Sequence, residues 1–220
     1  MGEYTDEENE EVTEQFRRVV GSIVVLSDVL PVTALGSLLL EQSGNATESA
    51  LDALNSLHSV LNISKDLTQP VRLLHPSFRD FLLDPLRCPD ERFRVNDKIT
   101  HRRLVEDCLR IMSQHLRKNI CELPSPGFLA RDVDDDQVAR YVPPHLEYAC
   151  LYWVNHLREG GCDLRDNGAI HQFLQKHFLH WLEALSLMKK ISDGLSMVFQ
   201  LESMLMVSAP CVNAIMPPNE

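Results

Sequence analysis

The 220-residue chain is short of positive charge. Against 32 aspartates and glutamates stand 21 lysines and arginines, a formal charge of −11. Such a chain repels polyphosphate within the Debye distance, which argues against a free-standing nucleic-acid binder. Its six cysteines, Cys88, Cys108, Cys121, Cys150, Cys162 and Cys211, show no C-x-x-C spacing. Neither a zinc ribbon nor a disulfide scaffold is expected, and thiols in apolar helical company serve as small hydrophobes. No G-x-x-x-x-G-K-[ST] stretch is present, and none of the nine glycines sits in a phosphate-cradling context. The chain therefore reads as no enzyme, with no ATP hydrolysis and no cofactor of its own. The apolar stretch from Val19 to Leu40 is broken by Asp28 and Pro31, too interrupted for a membrane span. No signal-peptide pattern opens the chain, so a reduced, cytoplasmic protein without a membrane partner is expected.

What is present can build a core. Hydrophobic residues make up 44% of the chain, and its length suits one large domain or two small ones. Much of the acid lies in GEYTDEENEEVTEQ, which has little to bury. Residues 1–14 read as a solvated, frayed lead-in to a helix. From Glu10 to Leu30 the apolar positions Phe16, Val19, Val20, Ile23, Leu26 and Leu30 form a helical stripe that Pro31 stops. Thr33 is placed to cap a second helix carrying Leu35, Leu38 and Leu39. After the turn SGNAT, a third helix carries Leu51, Leu54 and Leu57.

The period then changes. Residues 59–64 and 70–74 read as two short strands around the polar tip KDLTQ, a hairpin that must pack on helices to persist. Pro76 fits the first position of the next helix, where its missing N–H costs nothing. Helix, helix, helix, hairpin, helix is the order of a winged-helix domain with one helix appended, here at 15–86. A linker follows at 87–97, then a helical domain at 98–207 and a tail at 208–220. Within the helical domain, Asp97 or Thr100 opens a long helix, and residues 122–137 read as linker. Pro143-Pro144 starts another helix, GGCDLRDNG ends it, and helices from Ile170 and from Ile191 follow. The expected fold is mainly α, a winged helix with a small β-hairpin wing followed by an antiparallel helical bundle.

His75 stands where the hairpin meets the helix at Pro76. One reading is a structural imidazole satisfied by backbone at the junction. The other is chemical: outward-facing amides at the helix mouth carry partial positive charge, disfavour imidazolium, and leave a neutral ring to donate to a phosphate oxygen. Arg72, Arg79 and Asp80 flank the junction and read as exposed ion-pairing residues, worth little energetically. His171, His177 and His180 lack a third spaced ligand and read as structural rather than metal-binding. DNA reading by a winged helix needs lysine and arginine on its third helix, and ESALDALNSLH has none. The Met-rich end (Met188, Met197, Met204, Met206) reads as core filler, part of whose apolar face is exposed if nothing follows it.

The segments FRRVVGSIVVLSDVLPVTALGSLL, LHSVLNIS, PVRLLHPSFRDFLLDP, YACLYWVNHL and FLQKHFLHWLEALSLM, spread from about Glu10 to Leu205, carry a family likeness. They resemble the region C-terminal to the nucleotide-binding core in fungal NACHT-type STAND proteins, the NLR-like heterokaryon-incompatibility proteins. The resemblance implies a winged-helix domain followed by a helical domain. It also implies that His75 corresponds to the histidine of a Met-His-Asp signature that contacts the β-phosphate of ADP in the resting state. Here the triplet is Leu74-His75-Pro76, with Leu for Met and Pro for the acid. Without a P-loop of its own, the chain is expected to act beside a NACHT nucleotide-binding core, in cis in a parent protein or in trans as an adaptor. The alternative is a nonfunctional truncated fragment.

Overall fold

The computed structural model describes residues 6–39, 54, 60–125, 128–162 and 164–208. The chain is mainly helical, with a single small antiparallel sheet among the described residues. Helix α1 spans Asp6–Val25 and α2 spans Val32–Leu39. Most of the acidic segment expected as a lead-in is thus helical. The first helix ends at Val25, well before Pro31, because the chain turns at Ser27 and Asp28. There the Ser27 amide donates to Tyr148 Oη and the Val29 amide to Asp28 Oδ1. A tertiary acceptor ends this helix before the proline can. Thr33 lies inside α2 instead of capping it, and the Leu35 amide donates to Pro31 O. The expected third helix lies outside the described residues, apart from Leu54, which is helical and fully buried.

The hairpin is shorter than its sequence pattern. Strand β1 is Leu61–Asn62 and β2 is Arg72–Leu73, paired Leu61 with Leu73 and Asn62 with Arg72. Beyond the pair, the Leu74 amide donates to Val60 O. On its other flank the hairpin ties to the α1–α2 connection: Val71 N donates to Leu30 O, and Pro31 bridges Pro70. Two residues per strand cannot hold a ribbon in water, so this anchoring fixes it.

Helix α3 (Pro76–Leu83) follows, with Pro76 at its first position as expected. Helix α4 (Asp97–His115) is capped by Asn96, whose side chain accepts from the Ile99 amide. Part of the 122–137 stretch is structured where a linker was expected. A turn of 3₁₀ helix covers Ala130–Asp132, and α5 (Asp135–Tyr141) is capped by Asp134. The acid there supplies a cap and a first helical turn instead of a solvated loop. Helices α6 (Pro144–Glu159), α7 (Ala169–Leu187) and α8 (Ile191–Ser208) complete the order.

Helices α4 and α6 run antiparallel, as two histidine pairs show: His101 meets His156 at one end and His115 meets His145 at the other. Between these pairs, Leu104, Cys108, Met112, Leu146, Cys150 and Trp153 are almost wholly buried. Trp153 packs edge-on against Phe173 and Trp181 of α7, and Trp181 Nε1 donates to Cys150 O at 2.9 Å. Truncating either tryptophan should cost about 3–5 kcal/mol. One hydrophobic cluster continues from Val19, Leu35, Leu61 and Leu82 through this bundle. The segment expected as a winged helix and the segment expected as a bundle therefore share a core.

Candidate functional site

His75 sits between β2 and α3 in extended backbone (φ −146°, ψ 138°) and is the N-cap of α3. Histidine is an unusual cap. Its Nδ1 accepts from the Ser77 amide at 3.1 Å and lies 2.8 Å from Ser77 Oγ. The Phe78 amide donates to His75 O. This corrects the expectation of outward-facing amides at the helix mouth. Pro76 has no N–H, Ser77 N–H is taken by the histidine ring, and Phe78 N–H by the histidine carbonyl. Because Nδ1 accepts from a backbone amide, the ring proton belongs on Nε2. The donor offered to solvent is thus the imidazole itself, not the helix terminus. Ser77 is not singled out by the sequence; a serine two residues after the junction histidine is the available signal.

The surroundings of His75 are open. Leu74 is 55% exposed, Phe81 41% and Leu86 92%, while Leu82 of α3 is buried. Arg72, Arg79 and Asp80 are exposed, and among the described residues none of them forms an ion pair, contrary to the pairing expected. The junction and α3 therefore present an imidazole donor, the exposed Arg72 and Arg79 with no ion pair among the described residues, and the exposed apolar Leu74, Phe81 and Leu86.

Of the three histidines on α7, His177 is buried and His171 and His180 are half-buried. Ring stacking on Phe173 buries His177, with His180 beside it at 5.6 Å between centroids; burial lowers the proton affinity of His177. His171 Nδ1 accepts from the Asn167 amide. Among the described residues no group of three or more His, Cys, Asp or Glu is placed to hold a metal. Cys88, Cys108, Cys121 and Cys150 are buried free thiols, and burial pushes Cys108 and Cys150 far above the ordinary thiol range. Among the described residues no helix is long and apolar enough to cross a membrane.

Comparison with known proteins gives this geometry a context. The chain is similar to a fungal vegetative incompatibility protein. It is 41% identical over 108 residues to vegetative incompatibility protein HET-E-1 of Podospora anserina, a match taking in 44% of this chain. The chain spans 8% of the length of HET-E-1. No family model and no solved structure matches the chain.

Proposed function

We propose that the chain is a non-catalytic regulatory region of a fungal NLR-like signalling NTPase, a winged-helix unit followed by a helical unit. In the parent protein this region closes over ADP bound to a NACHT core, with His75 donating to the β-phosphate, and swings away when ATP replaces ADP. Such a change requires that the two nucleotides differ in their contacts to this arm. The similarity to HET-E-1 supports the incompatibility context. The observation that carries the sensor role is His75 itself: exposed, held at Nδ1 by the Ser77 amide, and left with Nε2–H as its outward donor. Capping fixes the ring's orientation, which a phosphate contact needs and a freely rotating surface histidine lacks.

The same segment suits docking in trans on a separate NACHT protein, because Leu74, Phe81 and Leu86 offer exposed apolar surface along the hairpin and α3. Calorimetry distinguishes the parts of the reading. The chain alone should give no heat with ADP, whereas an ADP-loaded NACHT core supplied in trans should bind it. His75→Ala should weaken that binding at least tenfold. Tight ADP binding by the chain alone, or a core that ignores His75→Ala, overturns the proposal.

A further inference from the structure

The turn between α1 and α2 is gripped by one face of α6. The Ser27 amide donates to Tyr148 Oη at 3.0 Å, and the Asn155 amide group donates to Ser27 Oγ at 2.8 Å. Tyr152 Oη donates to Asp28 Oδ2 at 3.3 Å. Behind Tyr148 the chain of polar groups continues inward: Tyr148 Oη lies 2.8 Å from His156 Nε2, and His156 Nδ1 lies 2.8 Å from His101 Nδ1. His156 is wholly buried and His101 is 8% exposed.

One arrangement of protons makes every one of these contacts a donor–acceptor pair and also gives the Tyr148 O–H an acceptor. Ser27 N–H gives to Tyr148 Oη, Tyr148 O–H to His156 Nε2, and His156 Nδ1–H to His101 Nδ1. His101 then carries its own proton on Nε2. Each link spends one donor and one acceptor, so another proton costs a buried group its partner. A proton on His101 Nδ1 would face the His156 N–H head-on at 2.8 Å. A proton on His156 Nε2 would face the Tyr148 O–H. Either two donors meet, or His156 changes tautomer and Tyr148 O–H turns away without an acceptor, and buried polar groups without partners are costly.

We propose that Ser27, Tyr148, His156 and His101 form a proton-sensitive latch that releases the α1–α2 turn from α6 in mild acid. The charged and titratable groups facing it are few. Glu159 and Asp97 favour a proton on His101, burial and Arg79 of α3 oppose one, and burial is the largest of these influences. His156 meets burial first and then the neighbouring His101, both disfavouring charge. Tyr148 faces Cys108 of α4, and Tyr152 faces Asp28, Glu147 and Asp193. Closed, the latch holds both imidazoles uncharged; open to water, each regains an ordinary histidine affinity for protons. Acid therefore drives opening, by about thirtyfold at pH 5 for His156 freed, with His101 adding in the same direction.

Amide hydrogen exchange on the full chain, corrected for the intrinsic rate at each pH, reads the latch directly. From pH 7.5 to 5.0 the opening of the Ser27 amide should rise at least thirtyfold more than that of the Trp181 amide in the α7 core. Equal changes at both positions would mean general acid destabilisation and overturn the latch, as would no change at Ser27. In H101Q/H156Q, where neither side chain titrates, the acid response at Ser27 should shrink to under threefold. If that double variant does not fold, Tyr148→Phe serves. Ser27 should then exchange readily at pH 7.5 with little further response to acid, although both histidines still titrate. A wild-type response in either variant overturns the proposal.

Discussion

Arg18 of α1 places its guanidinium 2.7 Å from Asp107 Oδ1 on α4 while the same group donates to Leu39 O, the last carbonyl of α2. Arg110 adds a bond to Leu38 O at 2.6 Å and stands 3.6 Å from the same carboxylate. Two cations from two other helices thus cover the negative end of α2, and one buried carboxylate balances them. Oδ2 of Asp107 has no partner. Burial pushes this carboxyl up to about 6 against the pull of Arg18 and Arg110.

A sign follows for stability. The folded state holds a proton on Asp107 in a range, about pH 4 to 6, where the unfolded chain has lost it, so this group's contribution falls as pH rises through that window. Asp107→Asn keeps an acceptor for Arg18 and removes the charge. Urea denaturation should show it gaining on the wild type between pH 4.5 and pH 7; a constant difference would contradict the assignment. Asp107→Ala leaves Arg18 and Arg110 only the carbonyls of Leu39 and Leu38 and should cost about 2 kcal/mol at pH 7.

The half-buried His145 and the buried His156 carry the opposite sign. Burial, then His115 and Arg110, lower His145 to about 4, and burial then His101 lower His156 to about 3. Both contribute stability that is complete above about pH 6.5 and is lost as the unfolded chain takes up protons in acid, about 2 kcal/mol for a fully buried ring by pH 5. His145→Gln should flatten the pH profile of the urea midpoint between 6.5 and 4. An unchanged slope would show that the ring meets water in the folded state.

The cap at His75 is measurable apart from any nucleotide. His75→Ala should lower stability by about 1 kcal/mol, and His75→Asp should hold it near wild type, since a carboxylate can accept from the Ser77 amide. Identical melting temperatures for the two variants would mean that the cap contributes nothing.

Gly194 on α8 tests the packing of the last two helices. A Cβ there would lie 2.7 Å from Leu185 Cδ1, and Leu185 is wholly buried. Gly194→Ala should therefore destabilise by about 1 kcal/mol even though alanine is the better helix former. Combining it with Leu185→Ala, which opens space, should give a coupling of at least about 0.5 kcal/mol in the relieving direction. Strict additivity would show that the side chain yields freely.

Much of the architecture was legible from local chemistry. The stripes of α4, α6, α7 and α8, the prolines opening α3 and α6, and the glycines closing α6 act within a few residues, so periodicity and caps place them. The helical content of the acidic segment and the start of α5 were misread because acid at a helix N-terminus and acid in a solvated loop look alike until a cap such as Asp134 is seen. His75 was legible as the junction residue, but its use of Nδ1 on Ser77 was not, since the pattern of preferred caps omits histidine.

Tertiary structure decided the rest. Nothing near Ser27 in the chain marks Tyr148 as the group that ends α1, and nothing near Leu39 marks Arg18, Asp107 and Arg110 as its cover. Hydrogen bonds between residues a hundred positions apart depend on which faces the helices bury together. Periodicity says that a face is buried, and only packing says against what.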